Sequence, residues 1–124
     1  MFSHIMIGSD DVAKSKRFYD AVLGALGHGP GSLDDRGRCF YRTSAGILAI
    51  TKPIDGKPAS AANGGTIGFA AKSPAEADAF HAAGVANGGT AIEDPPGKRE
   101  GSPFYLAYLR DPFGNKICAL HFAG

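Results

Sequence analysis

The sequence has little cysteine, almost no net charge and no long apolar run, and each shortage excludes a class of protein. Two cysteines, Cys39 and Cys118, are too few for a disulfide framework, and we predict that both are reduced, as in the cytoplasm. The 13 basic and 12 acidic residues give a net charge of +1, and no basic run exceeds two residues, so we expect no nucleic-acid partner. No apolar stretch approaches the roughly 20 residues of a membrane span, so we expect no membrane partner, and residues 1–8 predict a strand rather than a signal peptide.

What the chain does contain is a repeat of its own pattern after 62 residues, half of its 124 residues. That spacing separates His4 from Thr66, each near the start of a predicted strand. It also separates Phe18 from Phe80, each in a predicted helix. Two related units of this length form matching supersecondary structures that leave a cleft between them, and clefts bind small molecules. The repeat therefore predicts a small-molecule ligand.

The predicted elements follow the same order in both halves, β-α-β-β-β. Alternating apolar residues predict the strands, and Asp11 and Ser73 precede the two helices as capping residues. One strand, then a helix, then antiparallel hairpins indicates the α+β class. We predict a single domain, residues 1–124, with module one at 1–52, a linker at 53–63 and module two at 64–124.

Two stretches of this duplicated unit resemble the vicinal oxygen chelate superfamily, which contains glyoxalase I, bleomycin-resistance proteins and extradiol dioxygenases. They are residues 3–24, with Ser3-His4-Ile5-Met6-Ile7 and Phe18-Tyr19-Asp20-Ala21-Val22-Leu23-Gly24, and residues 110–117, Arg110-Asp111-Pro112-Phe113-Gly114-Asn115-Lys116-Ile117. Residues 48–60, LAITKPIDGKPAS, also resemble a short bacterial glyoxalase-like subgroup. The resemblance implies tandem βαβββ modules forming a curved eight-stranded mixed sheet around a cleft, with the helices outside and a homodimer as the assembly.

Metal-using members of this superfamily place one ligand at each of four strand positions. By resemblance these positions fall on His4, Ala49, Thr66 and Cys118. Only His4 matches a usual ligand. A divalent ion needs three or four donors to offset its dehydration, so we predict no metal or other cofactor at this position.

Two sets of residues are candidates for a site in the cleft. His4 and Cys118 are the candidate catalytic pair, because a neighbouring imidazolium lowers the pKa of a thiol. The alternative for His4 is a hydrogen-bonded histidine on a strand, and the alternative for Cys118 is a small apolar side chain.

The candidate substrate contacts are Tyr41, Thr66, Tyr108, Lys98 and Arg99. Tyr105 and Tyr108 must face opposite sides of one strand, and we place Tyr108 in the cleft. Lys98 and Arg99 lie in a loop, residues 95–102, that either closes over an anionic ligand or is simply solvated.

Three functions stay open at this point. The first is a glyoxalase-like enzyme, either a lyase resembling lactoylglutathione lyase or a dioxygenase, acting on a small oxygen-bearing molecule. The second is a metal-independent protein that binds or sequesters a small molecule, as drug-resistance members of the superfamily do. The third is a regulatory module whose cleft is a relic. The missing metal ligands favour the second function, whereas the usual label of similar sequences favours the first.

Overall fold

The computed structural model describes residues 1–122, so the last two residues of the predicted second module lie outside the described residues. The two helices in this range are α1 (Val12–Ala25) and α2 (Pro74–Ala86). The strands are β1 (His4–Gly8), β2 (Ser32–Leu33), β3 (Cys39–Thr43), β4 (Gly46–Thr51), β5 (Ile67–Ala70), β6 (Thr90–Ala91), β7 (Gly97–Lys98), β8 (Phe104–Arg110) and β9 (Lys116–Phe122). Neither of these helices is long and apolar enough to cross a membrane.

The strands form two mixed sheets, one from each half of the chain. Sheet A has the order β1-β4-β3-β2, and sheet B has the order β5-β9-β8-β6 with β7 also paired to β8. In each sheet the first strand runs parallel to the last, β1 beside β4 and β5 beside β9. The α+β class and the tandem βαβββ order are therefore confirmed. The short β7 is additional to the eight predicted strands, because the loop after β6 turns back and pairs along β8.

Both helices begin where the sequence provides an oxygen acceptor for their first N–H groups. The Asp11 carboxylate accepts from the Lys14 N–H at 3.1 Å, and the Ser73 hydroxyl accepts from the Glu76 N–H at 3.1 Å. The Glu76 carboxylate in turn accepts from the Lys72 N–H at 2.8 Å, which gives an arrangement similar to a capping box. The two helices begin 62 residues apart, so the repeat in sequence is also a repeat of structure.

One hydrophobic core lies against both helices and against one face of each sheet. Leu48 of sheet A and Leu109 of sheet B both belong to it. Phe18 and Phe80, the aromatic pair of the repeat, are both fully buried in it. Alternate strand residues point away from the core, and we call the faces that they form the open faces. The open face of sheet A carries His4, Met6, Phe40, Arg42, Ile47 and Ala49, and that of sheet B carries Gly68, Phe104, Leu106, Tyr108, Lys116, Cys118, Leu120 and Phe122.

The two helices approach each other closely at Gly84 of α2. A Cβ atom at this position would lie 2.3 Å from Cδ1 of Leu109 and 3.2 Å from Cε2 of Phe18. It would also lie 3.2 Å from Cγ1 of Val22. Because only a hydrogen atom fits there, Gly84 lets α1 pack directly against α2 and sheet B.

We expect Gly84→Ala to destabilise the protein by about 1–3 kcal/mol, because the added methyl group must displace packed side chains. Gly24→Ala in α1 is the matched control, since no atom lies within 4 Å of a Cβ added there. The control should stabilise the fold by about 0.5–1 kcal/mol through the helix preference of alanine. Denaturant unfolding measures both free energies, and equal values for the two variants would contradict this account of the packing.

Candidate functional site

The four positions indicated by the resemblance occupy equivalent places in the two modules. In module one, His4 lies on β1 two residues before Met6, and Met6 is paired with Ala49 of β4. In module two, Thr66 lies two residues before Gly68 of β5, and Gly68 is paired with Cys118 of β9. Residues two apart on a strand share a face, so His4 and Ala49 share the open face of sheet A. Cys118 lies on the open face of sheet B, and Thr66 directly precedes β5.

The four tyrosines differ in the partner of their hydroxyl group. Three of them donate to an aspartate at 2.7 Å: Tyr19 to Asp111, Tyr41 to Asp20 and Tyr105 to Asp78. Within residues 1–122, the Tyr108 hydroxyl makes no hydrogen bond. Tyr105 packs toward the core and Tyr108 lies on the open face, as the alternation predicts.

Tyr41 lies on the core side of sheet A, opposite to the open face. Burial and the hydrogen bond to Asp20 raise the pKa of its hydroxyl, so it stays protonated. Tyr41 also lines a cavity of about 520 Å³ between the end of α1, sheet A and β5. That volume is in the range of small-molecule pockets. Tyr41 and His4 thus lie on opposite sides of sheet A, and the role of Tyr41 as a ligand contact stays a prediction.

The loop of residues 95–102 lies against the open face of sheet B through Arg99. The Cζ atom of Arg99 is 5.7 Å from the centre of the Tyr108 ring. Its guanidinium donates to the backbone oxygens of Asp94 at 3.2 Å, Pro95 at 2.9 Å and Gly97 at 3.3 Å. The structure therefore brings Arg99 and Tyr108 together, whereas Lys98 is exposed on β7 at the edge of the sheet.

Two charged residues that the sequence analysis did not select also lie at Tyr108. Lys116 Nζ is 4.9 Å from the centre of the Tyr108 ring, and it forms an ion pair with Glu93. The alternation of β9 places residue 116 on the same face as Cys118, so the sequence contained a signal for Lys116. It contained none for Glu93, whose position depends on how the loop folds over the sheet.

The comparisons with known proteins agree with this geometry. Residues 1–119 match the family described as the Glyoxalase/Bleomycin resistance protein/Dioxygenase superfamily. The chain belongs to this superfamily. It is 62% identical to a glyoxalase/bleomycin resistance protein from Albidiferax ferrireducens T118, with 98% of each chain covered and a TM-score of 0.93. Comparison with functionally curated proteins gave no match.

More distant members of the superfamily share the fold alone. The lactoylglutathione lyase from Agrobacterium tumefaciens is 21% identical, with 98% of this chain and 92% of that chain covered and a TM-score of 0.67. A glyoxalase/bleomycin resistance protein/dioxygenase family enzyme from Burkholderia phytofirmans PsJN is 16% identical, with 97% of each chain covered and a TM-score of 0.74.

The divalent metal that superfamily membership implies does not fit the residues of this member. Ala49 offers no donor atom, and Thr66 offers only a hydroxyl group. Across the described residues, no group of three or more His, Cys, Asp or Glu side chains could hold a metal ion. A stable zinc or iron site needs at least three such ligands, so His4 and Cys118 are too few.

His4 and Cys118, the candidate catalytic pair, have different environments. His4 is exposed, and its Nδ1 atom lies 2.8 Å from the Ser3 hydroxyl. Cys118 is buried, with 4% of its surface exposed. Burial raises the pKa of the Cys118 thiol; Lys116 opposes this effect and Glu93 adds to it. The thiol is therefore protonated at neutral pH, which is unfavourable for a nucleophile.

We expect the Cys118 thiol to react slowly with a disulfide reagent at neutral pH. In a Cys39→Ala variant, where Cys118 is the only thiol, the reaction should be slower than in the unfolded chain and should accelerate with rising pH. The reason is that the raised pKa keeps the thiolate fraction small. A rate that already levels off near neutral pH would instead support His4 and Cys118 as a catalytic pair.

Proposed function

We propose that this superfamily member is a metal-independent protein that binds a small molecule on its open faces. The supporting observation is that Ala49 and Thr66 occupy two of the four positions where metal-using members need donors. Ala49 lies on β4 and Thr66 lies just before β5, and both strands keep the register of the fold. A binding protein needs only shape, apolar contacts and a few polar groups, and all of these are available on the open faces.

A lyase resembling lactoylglutathione lyase is the alternative, and the residues support it less well. Proton transfer in such a reaction requires a base beside the substrate. Position 118 holds a protonated thiol where metal-using members have a carboxylate. A dioxygenase would require two histidines and one carboxylate around iron, and His4 is the single residue of that kind at the four positions.

We also propose that two copies of the chain pair through their open faces and leave a cleft for the ligand between them. Met6, Phe104 and Phe122 lie on these faces and expose 43%, 39% and 60% of their surface. Exposed apolar side chains on both of these faces indicate an interaction surface. A second copy fits because sheets A and B are built alike, so a two-fold axis can set sheet A of one copy against sheet B of the other. His4 and Cys118 would then share a cleft across the dimer.

The two free cysteines favour a reducing, cytoplasmic setting.

The purified protein should contain no stoichiometric metal and should show no lactoylglutathione lyase turnover in added nickel or zinc. Elemental analysis and the enzyme assay measure these two quantities. A small aromatic compound should nevertheless raise the melting temperature, because any ligand that prefers the folded state stabilises it. Bound metal together with turnover, both lost in His4→Ala, would overturn the binding proposal in favour of the lyase.

We expect Met6→Asp to convert the dimer into monomers, because a carboxylate would be buried between the two open faces without a partner. Ile54→Asp is the control, since Ile54 is also exposed but lies in the linker between the modules. Sedimentation velocity distinguishes the two states. A monomeric wild-type protein, or a Met6→Asp protein that stays dimeric, would contradict the proposed assembly.

A further inference from the structure

We propose that Tyr108, Lys116 and Arg99 form a carboxylate-binding site on the open face of sheet B, which Glu93 occupies until a ligand carboxylate displaces it. The inference rests on the proposed binding function and specifies the chemistry of the ligand. It assigns to the ligand an apolar body and one carboxylate group. Four features of the structure support it: a free donor, two cations, an internal anion and an apolar strip.

The free donor is the hydroxyl group of Tyr108. In the described part of the chain, the other three tyrosines each donate to an aspartate at 2.7 Å, and Tyr108 has no such acceptor. Its side chain is half-buried on the open face, in register with Cys118. Because the Tyr108 hydroxyl has no acceptor in the described part of the chain, it can donate to an anionic group of a ligand that lies on the sheet.

The two cations lie on the same aromatic ring. Lys116 Nζ and Arg99 Cζ are 4.9 and 5.7 Å from the centre of the Tyr108 ring. Arg99 is held in place by three backbone oxygens of its own loop, and it has no carboxylate partner within residues 1–122. Two positive charges on one ring leave an excess of positive charge after a single carboxylate has paired with Lys116. The site therefore attracts anions.

The internal anion is Glu93, which pairs with Lys116. Glu93 has a φ of 59°, and among the described residues it is the one non-glycine residue with positive φ. Side chains are disfavoured in this backbone region, and such residues concentrate at functional sites. The Glu93 side chain is 46% exposed, so solvent competes for its carboxylate. A strained and exposed carboxylate is easier to displace than a buried one.

The apolar strip runs along β8 and β9 from Tyr108 toward the end of the sheet. Leu106 and Leu120 lie opposite each other in the strand register, and Phe104 and Phe122 lie opposite each other beyond them. The rings of the two phenylalanines are 5.9 Å apart. Four residues of a strand span roughly 13 Å, which is enough for a bicyclic ring or a medium-length acyl chain. The ligand predicted for this site is thus an apolar monocarboxylate.

The test is calorimetric titration with 2-naphthoate and octanoate, each compared with its neutral amide and its amine, at low ionic strength. Wild-type protein should prefer the acids. Glu93→Gln should tighten acid binding by about fivefold or more, because it removes the competing carboxylate. Glu100→Gln is the matched control, because it removes one negative charge from an exposed position in the loop of residues 95–102, next to Arg99. Lys116→Gln should weaken acid binding by about tenfold, and Tyr108→Phe should weaken it by a smaller factor.

Two results would overturn the inference while leaving the proposed binding function intact. One is binding of the amides or amines as tightly as the acids. The other is an acid affinity that rises equally in Glu93→Gln and Glu100→Gln. A complete lack of binding by acids, amides and amines, in the wild-type protein and in Glu93→Gln, would overturn the proposed binding function as well.

Discussion

The buried carboxylate of Asp111 joins the two halves of the molecule, and the placement of the open faces depends on it. Asp111 accepts from the N–H groups of Phe113 and Asn115 at 2.9 and 3.0 Å, which closes the turn between β8 and β9. It also accepts from the Tyr19 hydroxyl of α1 at 2.7 Å, and the Asn115 amide donates to Gly8 at the end of β1. A carboxylate at 4% exposure is tolerated because it has these donors. Burial of Tyr19 and its contact with Asp111 raise the pKa of the Tyr19 hydroxyl well above its ordinary value, so it stays a donor.

Local patterns in the sequence predict the elements, whereas contacts between distant residues do not follow from them. The capping residues Asp11 and Ser73 could be predicted because a helix cap depends on neighbours in the chain. The bond between Tyr19 and Asp111 joins residues 92 positions apart, and no local pattern indicates it. In β3, Tyr41 alternates with Phe40, and either could face the core on periodicity alone. The structure places Tyr41 on the core side, where its hydroxyl group donates a hydrogen bond to Asp20.

The same alternation explains how a superfamily member can lose metal ligands without losing its fold. Leu48 and Ile117 lie on the core side and fix the packing, whereas Thr66 is exposed, and Ala49 and Cys118, although buried, lie outside that core cluster. Substitution outside the packed core costs little free energy of unfolding, so an exposed position such as Thr66 is free to change with function. Membership of the superfamily therefore establishes the fold of this chain, whereas its chemistry has to be argued from the individual residues of a site.

A second copy over the open face would change the strength of every charged contact there. In the single chain, Lys116 and Arg99 face solvent, whose high dielectric constant weakens their attraction for an anion. Covering the face lowers the local dielectric constant, which strengthens the attraction between Lys116 and a carboxylate while raising the cost of leaving Lys116 unpaired. When no ligand is present, Glu93 of the same chain neutralises Lys116 by forming an ion pair with it. An internal carboxylate of this kind would thus allow two cations and an apolar strip to lie together beneath a partner subunit.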